Sequence, residues 1–249
     1  MGNRLKLVVA YDGAPFAGWQ SQKNGEAIQD NLERAFAAVT GTALRVHGAG
    51  RTDAGVHALA QTAHVDLSAN SLAVAQWPAA LNASLVPAIR VLRCTYVPST
   101  FHARFSAKGK LYRYRIWNDR VLPPFEVGRA WHVPAPLDFE GMVAEARAFV
   151  GGHDFASFAA NRGTPNEDTF RTMEAVRIRQ SGRCLTIEVE GDGFLYRMVR
   201  LMVGALVRRG REPGRTGEIR ARLEHPAGAW AAARFAAPAA GLILVRVRY

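Results

Sequence analysis

From Leu5 to Tyr11 apolar and polar positions alternate in a β-rich run that stops at Asp12-Gly13, a pattern that predicts a first strand. The period then lengthens. Between Glu26 and Thr40, residues Ile28, Leu32, Phe36 and Val39 form one apolar stripe, and Gly41 stands where a helix C-cap belongs. A short strand over Leu44–His47 is expected to lead into the glycine-rich segment Gly48 to Gly55, with another strand over Leu59–Leu67. Leu72–Ala83 reads as a helix interrupted by Pro78, and Ile89–Val97 as a strand.

The second half is looser. Lys110–Trp117 alternates as a strand and is followed by the break Pro123-Pro124. Asp138 can cap a helix carrying Phe139, Met142, Val143, Ala146 and Phe149, stopped by Gly151-Gly152. Val176–Arg179 and Cys184–Glu190 read as a hairpin around Ser181-Gly182. The most apolar helix is expected over Leu195–Arg209, and a last strand over Leu242–Tyr249. Strands and helices mix without strict βαβ alternation, which predicts an α+β fold with a mostly antiparallel sheet. The junction falls near Pro98 to Gly109, giving an N-terminal half, 1–105, and a C-terminal half, 106–249.

The chain has 249 residues, 49% of them hydrophobic, enough for a packed core in one large or two modest domains and inconsistent with wholesale disorder. Its net charge of +11 comes from 32 basic against 21 acidic residues, and 28 of the basic residues are Arg. The guanidinium suits phosphates and stacks on rings, so nucleic acid is one reading; a genome biased toward Arg and Ala codons is the other. The excess is uneven, +3 in residues 1–105 and +8 in 106–249. Cys94 and Cys184 lie far apart in apolar strands, which predicts neither a disulfide framework nor a zinc site and fits a reducing compartment. Met1 to Lys6 has no apolar signal core, and the uncharged run Leu67–Ile89 is too polar to span a bilayer. A soluble cytoplasmic protein is expected.

Gly50-Arg51-Thr52-Asp53-Ala54-Gly55 has the spacing of a phosphate-binding loop, but Val56-His57 follow where Lys and Ser/Thr are needed. It also fails the dinucleotide fingerprint, because Asp53 stands at the third glycine. What remains is a carboxylate held between glycines, with Arg51 two positions earlier. Glycines let the backbone bend and let a large ligand approach, and a carboxylate kept ionised by a nearby cation suits nucleophilic attack better than proton donation. The alternative is a turn whose Asp caps its own backbone while Arg51 makes a surface ion pair.

A second constellation is Phe101-His102-Ala103-Arg104-Phe105 followed by Lys108, Lys110 and Leu111-Tyr112-Arg113-Tyr114-Arg115. On a strand Tyr112 and Tyr114 share one face, which can stack a base, while Arg113 and Arg115 share the other, which can hold phosphates. The plain alternative is a half-buried strand with tyrosines in the core. In the apolar helix Met198, Met202 and Leu206 make a core ridge, and Arg200 needs a carboxylate partner, for which Asp53 is a candidate. Arg208, Arg209, Arg211 and Arg215 cluster at the helix end, where they complement its dipole in any case. The seven histidines show no metal-ligand spacing. His57 either contacts substrate beside the Asp53 loop or is a buried, satisfied histidine.

Gly50 to Ala58 resembles the signature of the tRNA pseudouridine synthase A family. The likeness continues in order through Tyr11-Asp12-Gly13, Gly18-Trp19-Gln20, Phe101 to Ala107, Tyr112-Arg113-Tyr114, Met198-Val199-Arg200 and Ala240-Gly241-Leu242, while Ala156–Phe170 does not line up. The resemblance implies an isomerase that converts uridine to pseudouridine at positions 38, 39 and 40 of the tRNA anticodon stem-loop. It implies a pseudouridine synthase fold of two RRM-like halves sharing an extended sheet, with the active-site cleft between them. It also implies a homodimer gripping tRNA, and chemistry without metal or organic cofactor. By position, Asp53 becomes the nucleophile, attacking uracil C6 or ribose C1′; Tyr112 stacks on the flipped base and helps remove the C5 proton; Arg51 displaces the uridine from its stem; Arg200 pairs with Asp53. Arg104 and His57 are expected at the RNA. Two other classes compete: a non-catalytic RNA-binding protein and a DNA-directed base-flipping enzyme.

Overall fold

The opening alternation makes a strand, β1 (Arg4–Tyr11), with Leu5, Leu7, Val9 and Tyr11 buried and the side chains between them half-exposed. The structure, a computed structural model, describes residues 4–23, 25–67, 72–160, 168–226 and 235–249. They fall into two compact units, Met1–Lys108 with Ile243–Tyr249, and Gly109–Leu242.

In the first unit β1 lies between β3 (His57–Asp66) and β4 (Ile89–Val97), antiparallel to both. The free edge of β3 is shared by two short pairings. β2 (His47–Gly48) runs antiparallel at His64 and Ala63, and the last strand, β10 (Leu242–Arg248), places Ile243 and Leu244 parallel to His57 and Ala58. The predicted first helix is α1 (Ile28–Thr40), which buries Ile28, Leu32, Ala35 and Phe36. The Asp30 carboxylate accepts the Ala27 N–H at its start, and Gly41, at φ +69°, closes its end in the left-handed conformation.

Two expectations shift in this unit. The strand expected over Leu44–His47 is reduced to His47–Gly48, because the Val46 backbone is taken by α1: its N–H donates to Glu33 Oε1 at 3.1 Å and its carbonyl accepts from Gln29 Nε2 at 3.1 Å. Pro78 does not interrupt a helix but begins one. It sits in the first turn of α2 (Trp77–Ser84), where its missing N–H costs nothing, and the Phe36 and Trp77 rings pack 5.8 Å apart between the two helices. Residues 68–71 of the uncharged run lie outside the described residues.

In the second unit β5 (Gly109–Trp117), β9 (Cys184–Gly191), β8 (Phe170–Ser181) and β7 (Gly151–Asp154) follow one another as antiparallel neighbours. β6 (Trp131–His132) pairs parallel with Ile116 and Trp117. The hairpin turns at Gly182, and Leu185, Ile187 and Val189 face the core as their alternation requires. Asp138 caps α3 (Phe139–Ala146): Oδ1 accepts the Gly141 N–H at 2.9 Å while Oδ2 takes Arg209 of α4 (Met198–Arg211) at 2.8 Å. A Cβ at Gly141 would stand 2.2 Å from that Oδ2 and 2.4 Å from Arg209 Nη2, so a larger residue would have to displace the side chains of this cap. The apolar helix starts three residues later than its hydrophobic pattern suggests, because Arg197 takes a left-handed φ of 58° that no helix can include. The short α5 (Glu218–Glu224) ends the helical layer, and Arg222 on it is fully buried with its guanidinium 4.0 Å from the Phe158 ring.

Both units therefore mix helices with a mostly antiparallel set of strands, the α+β class expected from the pattern. Among the described residues no helix is long and apolar enough to cross a membrane.

Candidate active site

Asp53 sits on the link from β2 to β3, and the loop around it is fixed from several sides. The Val56 N–H donates to the Asp53 carbonyl at 3.1 Å, closing a turn whose third residue, Gly55, has φ +78°. Just upstream, Thr52 is buried and its hydroxyl meets the Tyr11 phenol at 2.8 Å. Burial pushes the Tyr11 phenol up to about 12, so it remains a neutral hydrogen-bonding group at any ordinary pH. Gln61 of β3 donates to the Gly50 carbonyl at 3.0 Å, and the Trp19 N–H donates to the Thr52 carbonyl at 3.0 Å.

Two glycines remote in sequence are pressed against this loop. A Cβ on Gly13 would lie 2.0 Å from the Val56 carbonyl oxygen, and one on Gly18 would lie 2.7 Å from the Thr52 carbonyl oxygen and 3.1 Å from the Asp53 carbonyl carbon. Gly18 also has φ +93°. Behind them the Gly18 and Trp19 carbonyls accept the N–H groups of Ile28 and Gln29, which ties the loop to the start of α1. The result is a half-exposed carboxylate on a backbone that has little room to move.

His57 opens β3 and is buried. Its Nδ1 accepts the Gly13 N–H at 3.1 Å. Asp12 Oδ1 is also 3.0 Å from that nitrogen and accepts the Ala14 N–H at 3.0 Å. The imidazole thus joins the Tyr11–Ala14 corner to the Asp53 loop, in agreement with the buried alternative. Arg51 is exposed; its Nε donates to Gln20 Oε1 at 3.0 Å, and Gln20 in turn donates to Gln29 of α1 at 2.8 Å. The guanidinium is held by an amide at the mouth of the loop, with its charge left for another partner.

The remaining candidates lie elsewhere in the chain. Arg104, in the first unit, is exposed on a turn between β4 and β5, its guanidinium 5.7 Å from the Phe105 ring. Tyr112 and Arg200 belong to the second unit. Tyr112 is 7% exposed, with Phe194 edge-on to its ring at 5.0 Å. Arg200 lies in the first turn of α4; its Nε donates to the Ala237 carbonyl at 2.7 Å while the Ala237 N–H donates to the Arg200 carbonyl at 2.9 Å.

The strand of alternating Tyr and Arg is not the open two-sided platform its sequence suggests. Tyr112 and Tyr114 do share a face, but Tyr114 is core: it is fully buried, donates to the Pro238 carbonyl at 2.7 Å, and burial holds its phenol far above the usual range. On the other face Arg113 pairs with Glu188 at 2.8 Å and Arg115 with Glu126 at 2.9 Å. Those guanidiniums are neutralised within the unit. A surface groove of about 470 Å³ lies along α1, lined by Asp30, Glu33, Arg34, Ala37, Ala43, Leu44 and Arg45, and holds none of the motif residues.

Sequence reasoning missed Thr52, Tyr11, Gln61, Gly13 and Gly18 as the frame of the carboxylate. Thr52 carried a signal inside the Gly50–Ala58 motif, and Tyr11, Gly13 and Gly18 in the motifs at and just after the end of the first strand; Gln61 carried none.

A carboxylate on a glycine-framed turn in an α+β fold defines a class of enzyme, and comparison with known proteins places this one. The family model described as tRNA pseudouridine synthase matches residues 7–106 and 146–249, and the chain belongs to that family of isomerases. It is 44% identical to a protein of Akkermansia muciniphila over 99% of this chain and 95% of that one. It is also 44% identical to a protein of Bradyrhizobium diazoefficiens over 99% of both chains, and 46% identical to one of Nitrobacter hamburgensis over 82% of this chain and 83% of that one. All three relatives are named tRNA pseudouridine synthase A.

Proposed function

We propose that this protein isomerises uridine to pseudouridine at positions 38, 39 and 40 of the tRNA anticodon stem-loop, with Asp53 as the nucleophile. The observation that carries the assignment is the Asp53 turn itself. A carboxylate meant to attack a nucleoside must be half-open to solvent yet fixed, and here Thr52, Gly13, Gly18 and Gln61 fix the backbone while the side chain stays accessible. The carboxylate attacks uracil C6 or ribose C1′; the C1′–N1 bond breaks, the freed uracil turns, C1′ bonds to C5, and the C5 proton leaves while N1 gains one. Nothing is oxidised or reduced and no atom is added.

The target base must first leave its stack, at a cost of roughly a few kcal/mol. Arg51 is placed to offset that cost, since its guanidinium stands beside the carboxylate turn with an amide, not an acid, as its partner. Tyr112 and Arg200 join the assignment through their places in the family's ordered motifs, Tyr112 to stack on the flipped base and assist loss of the C5 proton. Arg104 contacts the RNA, and His57 braces the Asp53 turn from behind. The working form is a cytoplasmic homodimer that grips one tRNA across both subunits.

The test is tritium release from C5 of an unmodified anticodon stem-loop RNA. Asp53→Ala and Asp53→Asn are expected to abolish release while RNA affinity changes by less than about threefold. Turnover retained by either variant would overturn the nucleophile assignment. Tyr112→Phe keeps the ring and loses the hydroxyl, so turnover is expected to fall with little change in KM; unchanged kinetics would reduce Tyr112 to a platform.

A further inference from the structure

The turn that carries Arg104 is built more firmly than a connecting loop needs. Ala103 is anchored on both sides, its N–H donating to His64 Nδ1 at 3.1 Å and its carbonyl accepting the Tyr249 hydroxyl at 2.7 Å. The Ser106 N–H donates to the His102 carbonyl at 2.9 Å, and the Ser106 hydroxyl accepts the His102 N–H at 2.9 Å. His102 then folds its ring over the turn, where Nδ1 accepts both the Arg104 N–H at 3.1 Å and the Phe105 N–H at 3.3 Å. An imidazole that accepts two amides at Nδ1 is unprotonated there.

What the turn presents is an aromatic ring in water. Phe105 is 77% exposed, its ring packs against His102 at 4.3 Å, tilted by 30°, and the Arg104 guanidinium stands 5.7 Å from its centroid. Behind it His64 meets His102 edge-on at 4.7 Å, with 67° between planes, and His47 stacks on His64 at 5.0 Å. The surroundings are cationic: Arg4, Arg104 and His47 all act against a proton on His102, after burial as the largest cause. A lone exposed phenylalanine is ordinary. One on a rigid turn, braced against a second ring and flanked by guanidinium, has the composition of a surface that stacks bases and follows a phosphate backbone.

We propose that Phe105 is a stacking platform for one unpaired nucleobase of the RNA substrate, with Arg104 meeting the adjoining phosphate and His102 as the positioning residue that holds the turn. The proposal rests on the reading of this chain as a tRNA-modifying enzyme. It concerns a contact apart from the base that undergoes reaction, made by the first unit alone.

The experiment measures the Kd of the full-length protein for an unmodified anticodon stem-loop RNA across a salt series, with C5 tritium release measured in parallel. Phe105→Ala is expected to raise Kd about tenfold, with the salt slope unchanged, because stacking releases no counterions. Phe105→Trp is expected to stay within about threefold of the parent. Arg104→Ala is expected to raise Kd and lower the salt slope by about one. His102→Ala is expected to weaken binding, and His102→Asn to restore it, because Oδ1 of Asn accepts the same two amides. Phe105→Ala binding within twofold of wild type, or Phe105→Trp losing as much as Ala, overturns the platform while leaving the synthase reading intact. A wild-type protein that neither binds the RNA nor releases tritium overturns both.

Discussion

Gly18 offers the sharpest test of how the carboxylate is held. Replacing it with Ala puts a methyl 2.7 Å from the Thr52 carbonyl oxygen and 3.1 Å from the Asp53 carbonyl carbon, at a residue whose φ is +93°. Retreat is blocked on the far side, where the Gly18 carbonyl accepts the Ile28 N–H at 3.0 Å and the Trp19 N–H holds the Thr52 carbonyl at 3.0 Å. A non-glycine residue in this backbone region costs about 1–3 kcal/mol, and loss of the Trp19 hydrogen bond about 1 kcal/mol more. For a chain of 249 residues that amounts to a fall in Tm of roughly 5–15 °C. If the methyl instead pushes the Asp53 backbone aside by up to about 1 Å, turnover falls roughly 10- to 100-fold. Gly41→Ala is the matched control. Gly41 has φ +69°, and a methyl there would meet nothing within 4 Å, so the change should cost about 1–2 kcal/mol and no turnover. Scanning calorimetry and tritium release on the two variants separate the effects. If Gly18→Ala keeps turnover within twofold of wild type, the glycine does not position the Asp53 carboxylate.

Two further outcomes follow from the first unit. Tyr11→Phe leaves the buried Thr52 hydroxyl without its 2.8 Å partner and should cost about 1–2 kcal/mol in urea denaturation; adding Thr52→Val should cost less than the two single changes together, and strict additivity would show that the hydroxyls do not interact. His64 is held down to about 4 from 6.5, by burial first and then by Arg4, His102 and His47, so the unfolded chain takes its proton near pH 6.5 while the folded chain resists. Its contribution is therefore complete above pH 6.5 and lost progressively as pH falls to about 4, and His64→Asn, which keeps an acceptor for the Ala103 N–H, should flatten that slope in denaturation measured at pH 7.5, 5.5 and 4.5. An identical slope in the variant would assign the loss to other groups.

Elements whose signal is local were legible in the sequence. The alternation of Leu5–Tyr11, the stripe of α1 with Gly41 after it, and the Asp138 cap each depend on neighbours within a turn or two, and each formed where the pattern put it. Asp53 was legible as a carboxylate between glycines for the same reason. The frame around it was not, because Gly13, Gly18, Tyr11 and Gln61 reach the turn only through the fold. The departures have that cause too. Leu44–Val46 is strand-like by composition, but side chains of α1 occupy the Val46 backbone; alternation left Tyr114 open between base platform and core, and contact with Pro238 and Gly241 puts it in the core.

Charge shows the difference between counting and pairing. By composition the second half holds most of the excess, +8 against +3. Ion pairs leave that net excess unchanged, but they decide which arginines carry it: Arg113 is paired with Glu188, Arg115 with Glu126, Arg208 with Glu218, Arg209 with Asp138, and Arg215 with Glu212 and Glu218. The helix-end cluster therefore serves mainly to join α4 to α3 and α5. In the first unit, Arg51 leans on an amide and Arg104 on a ring, partners that neutralise nothing. Phosphate contacts are made by cations whose charge is not already neutralised, so the salt dependence of RNA binding should follow Arg51 and Arg104 more closely than the paired Arg113, Arg115, Arg208, Arg209 and Arg215. Removing the Arg113 or Arg115 guanidinium leaves Glu188 or Glu126 without its ion pair and perturbs the unit's own packing, whereas removing Arg51 or Arg104 breaks no ion pair among the described residues.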